Sequence, residues 1–315
     1  MPISNKNELV SIIIRCFNEE KHIGRLLDSI QKQTYDNYEI VVVDSGSTDA
    51  TLNVVRNYPA TIVNIKPEEF TFGFSLNKGC EAAKGKYLVM ASAHVIPIDN
   101  MWLSEMVRPF ADPSVGIVYG RQIGNHLTKF SEHQVFAQQF PVVSNFEQTT
   151  PFCNNANCAI LRSVWEKYLY DESLTGLEDL DIGKKVIQDG KVIAYNANAA
   201  IHHLHEETPQ KIFNRYKREA IALKRIFPDS HLYLLECLYL WLSNLSLDIL
   251  RAIKNHKLIG NFLDIIVFRT MQYFGTYSGI HTRSQVTHEM LMRFYYPRKP
   301  QNKIFRKKIN ESKDI

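Results

Sequence analysis

VSIIIRCFNEE (residues 10–20) and EIVVVDSGSTDAT (residues 39–51) decide the fold. Each begins as an unbroken apolar run and passes directly into a polar turn that carries acids. Apolar runs without alternation mark strands buried on both faces, and such strands make up parallel α/β sheets. Ligands of these sheets sit beyond the carboxyl ends of the strands. The two runs therefore put carboxylates and small hydrogen-bonding groups where a ligand would lie. These are Phe17, Asn18 and Glu19 after the first strand, and Asp44, Ser45 and Gly46 after the second.

Between them, Ile23, Leu26, Leu27 and Ile30 follow the i, i+3, i+4, i+7 spacing of an amphipathic helix. Strand, helix and strand form a βαβ unit with a right-handed crossover. Asp49 can cap a second helix carrying Leu52 and Val55, and a short strand follows over residues 61–65. Leu76, Cys80 and Ala83 mark a third helix that ends at Gly85. Residues 86–91 (KYLVMA) are a further buried strand that stops at Ser92-Ala93-His94. Trp102, Leu103, Met106 and Phe110 give another helix, and residues 117–123 another strand. Residues 124–158 are rich in Asn and Gln and read as an irregular cleft wall. Residues 175–190 (TGLEDLDIGKKVIQDG) start a helix at Glu178-Asp179, followed by a strand over 192–195 and the histidines 202, 203 and 205. A long helix then carries Ile212, Phe213, Tyr216 and Ala220 on one stripe and Lys211, Arg215 and Arg218 on another.

From residue 232 the composition shifts. LYLLECLYLWLSNLSLDIL (232–250) is mostly apolar but contains Glu236, Asn244 and Asp248. A membrane span needs about 20 nearly uncharged residues. An interfacial helix, or a helix packed on the main domain, fits better. Residues 258–274 repeat the pattern with Asp264 and Arg269. The last stretch carries eight Lys and Arg between Arg293 and Lys313, either a solvated tail or one for an anionic membrane. The chain thus divides into an α/β part (1–227), a helical part expected to associate with a membrane surface (228–292) and a basic tail (293–315). In 315 residues, a net charge of +4 is too mild to imply nucleic acid. Five cysteines form an odd set, and Cys153 and Cys158 lack zinc or thioredoxin spacing. Reduced thiols in a cytoplasmic protein are expected. Residues 1–8 carry no signal-peptide pattern.

The order of these parts resembles the family 2 glycosyltransferases of the GT-A fold. The resemblance rests on a strand ending in FNEE, a strand ending in VVDSGSTDAT, a third strand ending in a polar triplet, and a late Glu-Asp pair. It covers residues 8–227. It implies a Rossmann-like, mostly parallel sheet flanked by helices, with a helical membrane-surface appendage. Phe17, Asn18 and Glu19 resemble the loop on the nucleobase and ribose. Asp44 resembles the acid that recognises the base, with Ser45 and Gly46 beside it; the alternative for Asp44 is plain turn chemistry. Asn77 and Lys78 resemble a segment near the sugar diphosphate, and Arg215 a phosphate-binding cation.

Family members carry Asp-X-Asp where this chain has Ser92, Ala93 and His94. His94 can ligate Mn²⁺ more readily than Mg²⁺, bond a phosphate without any metal, or be structural. His203 and His205 point the same way in an extended segment and can join a metal site. By the resemblance Asp179 is the general base on the acceptor hydroxyl and Glu178 orients it; otherwise both simply complement the helix dipole. The implied activity is inverting transfer from a UDP- or dTDP-linked sugar to a lipid-linked oligosaccharide of O-antigen or capsule type. The implied site of action is the cytoplasmic face of the inner membrane. A non-catalytic nucleotide-sugar scaffold is the alternative, motivated by the absent Asp-X-Asp. A nucleotidyltransferase would show a Gly-rich basic loop after the first strand, where FNEEKHIG has acids.

Overall fold

The structure, a computed structural model, describes residues 8–204, 206–283 and 287–295. Four parallel strands come first, in the order β3 (Ala60–Asn64), β2 (Tyr38–Asp44), β1 (Val10–Cys16) and β4 (Tyr87–Ser92). Their crossovers carry α1 (Ile23–Gln31), α2 (Thr51–Val55) and α3 (Phe72–Ala82). Successive strand side chains point to opposite faces, so one apolar run supplies two cores. Ile12 and Ile14 pack with Leu26, Leu27 and Trp102 on one face of the sheet. Ile13 packs with Leu76, Met90 and Val186 on the other. Each fully buried aliphatic side chain contributes roughly 1.5–3 kcal/mol.

Beyond β4 the sheet is mixed. β8 (Asn157–Leu161) runs antiparallel to β4 and to β6 (Val115–Ile123), while β9 (Val192–His203) runs parallel to β6. Two short strands, β5 (Val95–Pro97) and β7 (Asn145–Gln148), add antiparallel to β9. The topology brings the start of β8 to the same edge as the ends of β1, β2, β4, β6 and β9. That edge carries the chemistry.

The segment over 124–158, expected to be irregular, contains α5 (Phe130–Gln139), β7 and the first two residues of β8. Helix α5 lacks an apolar stripe because two of its four buried residues, Ser131 and Glu132, are polar. Glu132 pairs with Arg215, so its burial is compensated by an ion pair that periodicity does not reveal. β9 runs eight residues past its expected end at Tyr195. Asn196 breaks the apolar run, yet its amide bonds both the backbone and the carboxylate of Glu105.

The compact unit extends through Thr282 and takes in α9 (Leu234–Lys254) and α10 (Leu258–Ile280). Helix α10 lies along α8 (Pro209–Ile226), with Gly275 and Gly279 against the carbonyls of Phe213 and Lys217. Buried Asp248 of α9 accepts a hydrogen bond from Arg269 of α10 at 2.7 Å. No helix among the described residues is long and apolar enough to cross a membrane. Helix α9 instead buries one face and exposes Leu235, Tyr239, Leu242 and Leu250 on another. The tail over 296–315 lies outside the described residues.

Gly79 sets how closely α3 approaches the sheet. A Cβ there would lie 2.5 Å from Cγ2 of Ile13 and 3.0 Å from Cγ2 of Val43. Overpacking costs about 1–3 kcal/mol, which outweighs the roughly 1 kcal/mol that Ala gains over Gly in a helix. Gly79→Ala should lower the urea midpoint at unchanged slope. An unchanged or raised midpoint would refute this packing account.

Candidate active site

The site is built along the carboxyl edge of the sheet, beginning where β1 and β2 end. Asn18 adopts φ +55°, which turns the chain sharply after β1. Its backbone N–H donates to Ser47 Oγ at 2.9 Å, and its Oδ1 accepts from Thr48 N at 2.8 Å. Glu19 N donates to Thr51 Oγ1 at 2.7 Å, and Glu20 and Asp49 close the seam. Asp44 is buried; its Oδ2 accepts from Gly46 N and Ser47 N, both at 3.0 Å, and the Cys16 thiol donates to Oδ1. The turn chemistry weighed for Asp44 is present in full, and Gly46 at φ +88° completes the turn. Ser45 is buried and donates to Cys16 O. Phe17, half-buried, stands at the tip of β1.

At the end of β4, Ser92 leads to buried Ala93 and half-exposed His94. His94 Nδ1 lies 2.8 Å from Glu19 Oε1, and its ring stacks on that of His203 with centroids 5.1 Å apart. His203 in turn stacks on Phe136 of α5. Its Nδ1 meets Gln122 Oε1 at 2.7 Å, while Gln122 Nε2 donates to Asn154 Oδ1. A carboxylate and an amide oxygen only accept, so Nδ1 carries the proton in both rings. In the neutral imidazoles the lone pair then sits on Nε2. No three metal-ligating side chains converge among the described residues. His205 lies outside them. The lone pair on an imidazole nitrogen such as His94 Nε2 would suit Mn²⁺ better than Mg²⁺.

Glu178 and Asp179 open α7 (Glu178–Gln188), after Leu177 at φ +57° swings the chain into the helix. Both are buried. Asn155 meets both: its backbone N–H donates to Asp179 Oδ2 at 3.0 Å, and its Nδ2 to Glu178 Oε1 at 3.2 Å. Leu180 N donates to Asp179 Oδ1 at 2.8 Å. Burial, and then the Glu178 carboxylate, raise Asp179 to about 7, against the hydrogen bonds from Asn155 and Leu180. That value is matched to a general base working near neutrality.

Arg15 escapes notice in the sequence, although it is the one charge in an otherwise apolar strand. Its Nη1 stands 3.8 Å from Glu178 Oε1. Its guanidinium lies 4.6 Å from the centre of the Phe72 ring, and so does that of Arg218 from α8. Two cations are thereby held on one aromatic ring beside two carboxylates. Gln122 and Asn155 stand in the polar runs 119–122 and 154–159, which the family resemblance reads as acceptor- or donor-sugar walls.

Three expected ligand residues are engaged with other side chains of the protein in this structure. Asn77 is buried; its amide donates to Tyr170 O and Glu172 Oε1, and its Oδ1 accepts from Trp165 Nε1 and Tyr170 N. Lys78 pairs with Glu81 at 2.7 Å. Arg215 is held by Glu132 and Glu207, each at 2.7 Å, so two carboxylates balance its charge.

The family profile described as Glycosyl transferase family 2 matches residues 11–169. The O-antigen chain rhamnosyltransferase WbaN of Salmonella anatum is 31% identical over 201 residues, covering 60% of this chain and 63% of that protein. The match thus spans less than two thirds of that relative's length. The O-antigen chain rhamnosyltransferase RfbN of Salmonella typhimurium is 28% identical over 219 residues, covering 66% and 70%. Among solved structures, the mannosyltransferase PcManGT from Pyrobaculum calidifontis, in complex with GDP-Man and Mn²⁺, superposes with a TM-score of 0.58 at 19% identity. That alignment covers 95% of this chain and 90% of the other. The fold is GT-A.

The Asp179 carboxyl should titrate near pH 7 when followed by its ¹³C shift. Glu178→Gln removes the adjacent negative charge and should lower that midpoint by about one unit or more. A midpoint already in the ordinary range near 4 would contradict the burial argument.

Proposed function

The chain belongs to glycosyl transferase family 2, and on that premise we propose that it is an inverting transferase acting in surface-polysaccharide assembly. It moves a sugar from a UDP- or dTDP-linked donor to a hydroxyl of a lipid-linked oligosaccharide. The two O-antigen rhamnosyltransferases among its relatives make a rhamnosyl donor the first to test. The observation that carries the reading is Asp179, a buried carboxylate raised to about 7 on the ligand edge of the sheet.

The nucleoside sits at the seam between the β1 and β2 loops, against Phe17. The diphosphate lies toward His94, whose ring is oriented by the Nδ1 contact with Glu19. A divalent ion would be ligated by His94 through Nε2, with Glu19 fixing the ring at Nδ1, and would supply charge neutralisation for the leaving diphosphate. Asp179 accepts the proton of the acceptor hydroxyl as its oxygen bonds the anomeric carbon. The bond from that carbon to the diphosphate oxygen breaks on the opposite face, so configuration inverts. Arg15 and Asn155 keep Glu178 and Asp179 in position, and ionised Asp179 is the active form. Turnover therefore rises with pH up to about 7 and then levels.

The exposed apolar face of α9, with Arg251, Lys254 and Lys257 at its carboxyl end, supports docking on an anionic membrane surface. Such docking on the cytoplasmic face of the inner membrane would bring the edge to a lipid-linked acceptor.

Asp179→Asn should lower kcat by about 10²- to 10⁴-fold while donor affinity in calorimetry stays within twofold. Full turnover in this variant would remove the base assignment. Nucleotide binding without turnover in the wild-type chain, unaffected by the substitution, would favour the scaffold alternative. Co-sedimentation with anionic vesicles should fall at least tenfold in a Leu235→Glu, Leu250→Glu double variant; retention of binding would place the contact elsewhere.

A further inference from the structure

Behind the carboxyl edge lies a second cavity of about 520 Å³, within the roughly 300–1,000 Å³ typical of ligand pockets. One wall is Tyr119 of β6, Tyr195 of β9 and Phe152; the facing wall is Asn244 of α9 and Arg269, Gln272 and Tyr273 of α10. The carboxyl half of α5 and the strand β7 close the remaining side, and the mouth carries Val143, which is 72% exposed. The cavity exists because α9 and α10 pack on α5: Phe130 of α5 sits in one cluster with Ala252 and Ile265.

Its lining has a definite chemistry. Aromatic rings and apolar groups alternate with side-chain amides, and no carboxylate stands among the described lining residues. The single cation among them, Arg269, is balanced by buried Asp248. Asn244 donates its amide N–H to Leu240 O, which leaves Oδ1 to accept; Gln272 accepts from Arg269 on Oε1, which leaves its NH₂ to donate. An acceptor and a donor among aromatic walls match adjacent hydroxyls on a ring whose faces are apolar. A phosphate or a uronate would find no unbalanced positive charge there, and a hydrocarbon chain would strand the amides.

The partition between cavity and edge is one element thick. Helix α5 lends Val135 and Gln138 to the cavity and Phe136 to the His203 stack. The segment after β7 lends Thr150 and Phe152 to the cavity, and its Asn155 holds Asp179. Asn244, Arg269, Gln272 and Tyr273 lie outside the stretch matched by the family profile, so this chain's own C-terminal helices set the cavity's selectivity.

We infer that this cavity binds a neutral saccharide, the glycan part of the acceptor distal to the reacting hydroxyl. The inference rests on the transferase reading above and names what that site's acceptor must carry. The test uses the full chain and saturation-transfer NMR. The probes are a neutral trisaccharide methyl glycoside and a uronate-bearing trisaccharide of equal length. The neutral probe should bind, and the uronate at least tenfold more weakly. Gln272→Leu, and Val143→Trp at the exposed mouth, should each weaken the neutral probe about tenfold at wild-type melting temperature. Absence of neutral binding, preference for the uronate, or undiminished binding in the folded Val143→Trp chain would overturn the assignment. Nucleotide release by the wild-type chain separates the two ideas. Release without saccharide binding removes the cavity assignment alone, whereas saccharide binding without release removes the transferase reading and keeps the cavity.

Discussion

Two adjacent carboxylates kept almost dry are the constraint around which this edge is organised. Burying an ionised carboxylate costs several kcal/mol unless hydrogen bonds or counter-charges offset it. Asn155 supplies the bonds through its backbone and side chain together, and Arg15 supplies charge. Asn155 reaches them because β8 runs antiparallel to β4, which delivers the segment before β8 to the carboxyl edge. The same reversal puts Asn154 beside Gln122, and the parallel pairing of β6 with β9 puts Gln122 beside His203. Hydrogen bonds through Asn154, Asn155 and Gln122, and then the stack of His203 on His94, thus join the Glu178–Asp179 pair to the His94–Glu19 pair. Exchanging the direction of one short strand would dissolve that link.

The parallel half of the fold was legible because its strands are apolar on both faces and each ends in a polar turn. The Glu178-Asp179 pair was legible because it opens an amphipathic helix. What stayed hidden has a common cause: polar residues buried in reciprocal pairs. Glu132 with Arg215 concealed α5, and Asn196 with Glu105 concealed the far half of β9. Asn77 reads as a ligand residue because the three residues that take its four hydrogen bonds are more than 80 positions distant in sequence. Arg15 went unremarked for the opposite reason. A charge at a strand end looks ordinary until Phe72 and Glu178 arrive from two other elements.

Besides the apolar cluster of Cys237, Leu240, Tyr273, Tyr277 and Ile280, a buried ion pair of Asp248 with Arg269 joins α9 to α10. Such a pair adds little net stability compared with an apolar contact, but it penalises every sliding of one helix along the other that would separate the charges. Register is what this part of the chain requires. Asn244 and Gln272 face the same cavity from different helices, and a shift of one turn would move them about 5.4 Å apart along the axis.

The seam between the β1 and β2 loops has a thermodynamic meaning of its own. Asn18, Glu19 and Glu20 are tied to Ser47, Thr48, Asp49, Ala50 and Thr51. Two loops that would otherwise wander are already one rigid rim. Ordering a loop on binding subtracts from affinity, at about 1–2 kcal/mol for each residue whose backbone becomes fixed. Here that entropy was surrendered during folding, so a ligand docking on this rim keeps nearly all the enthalpy of its contacts.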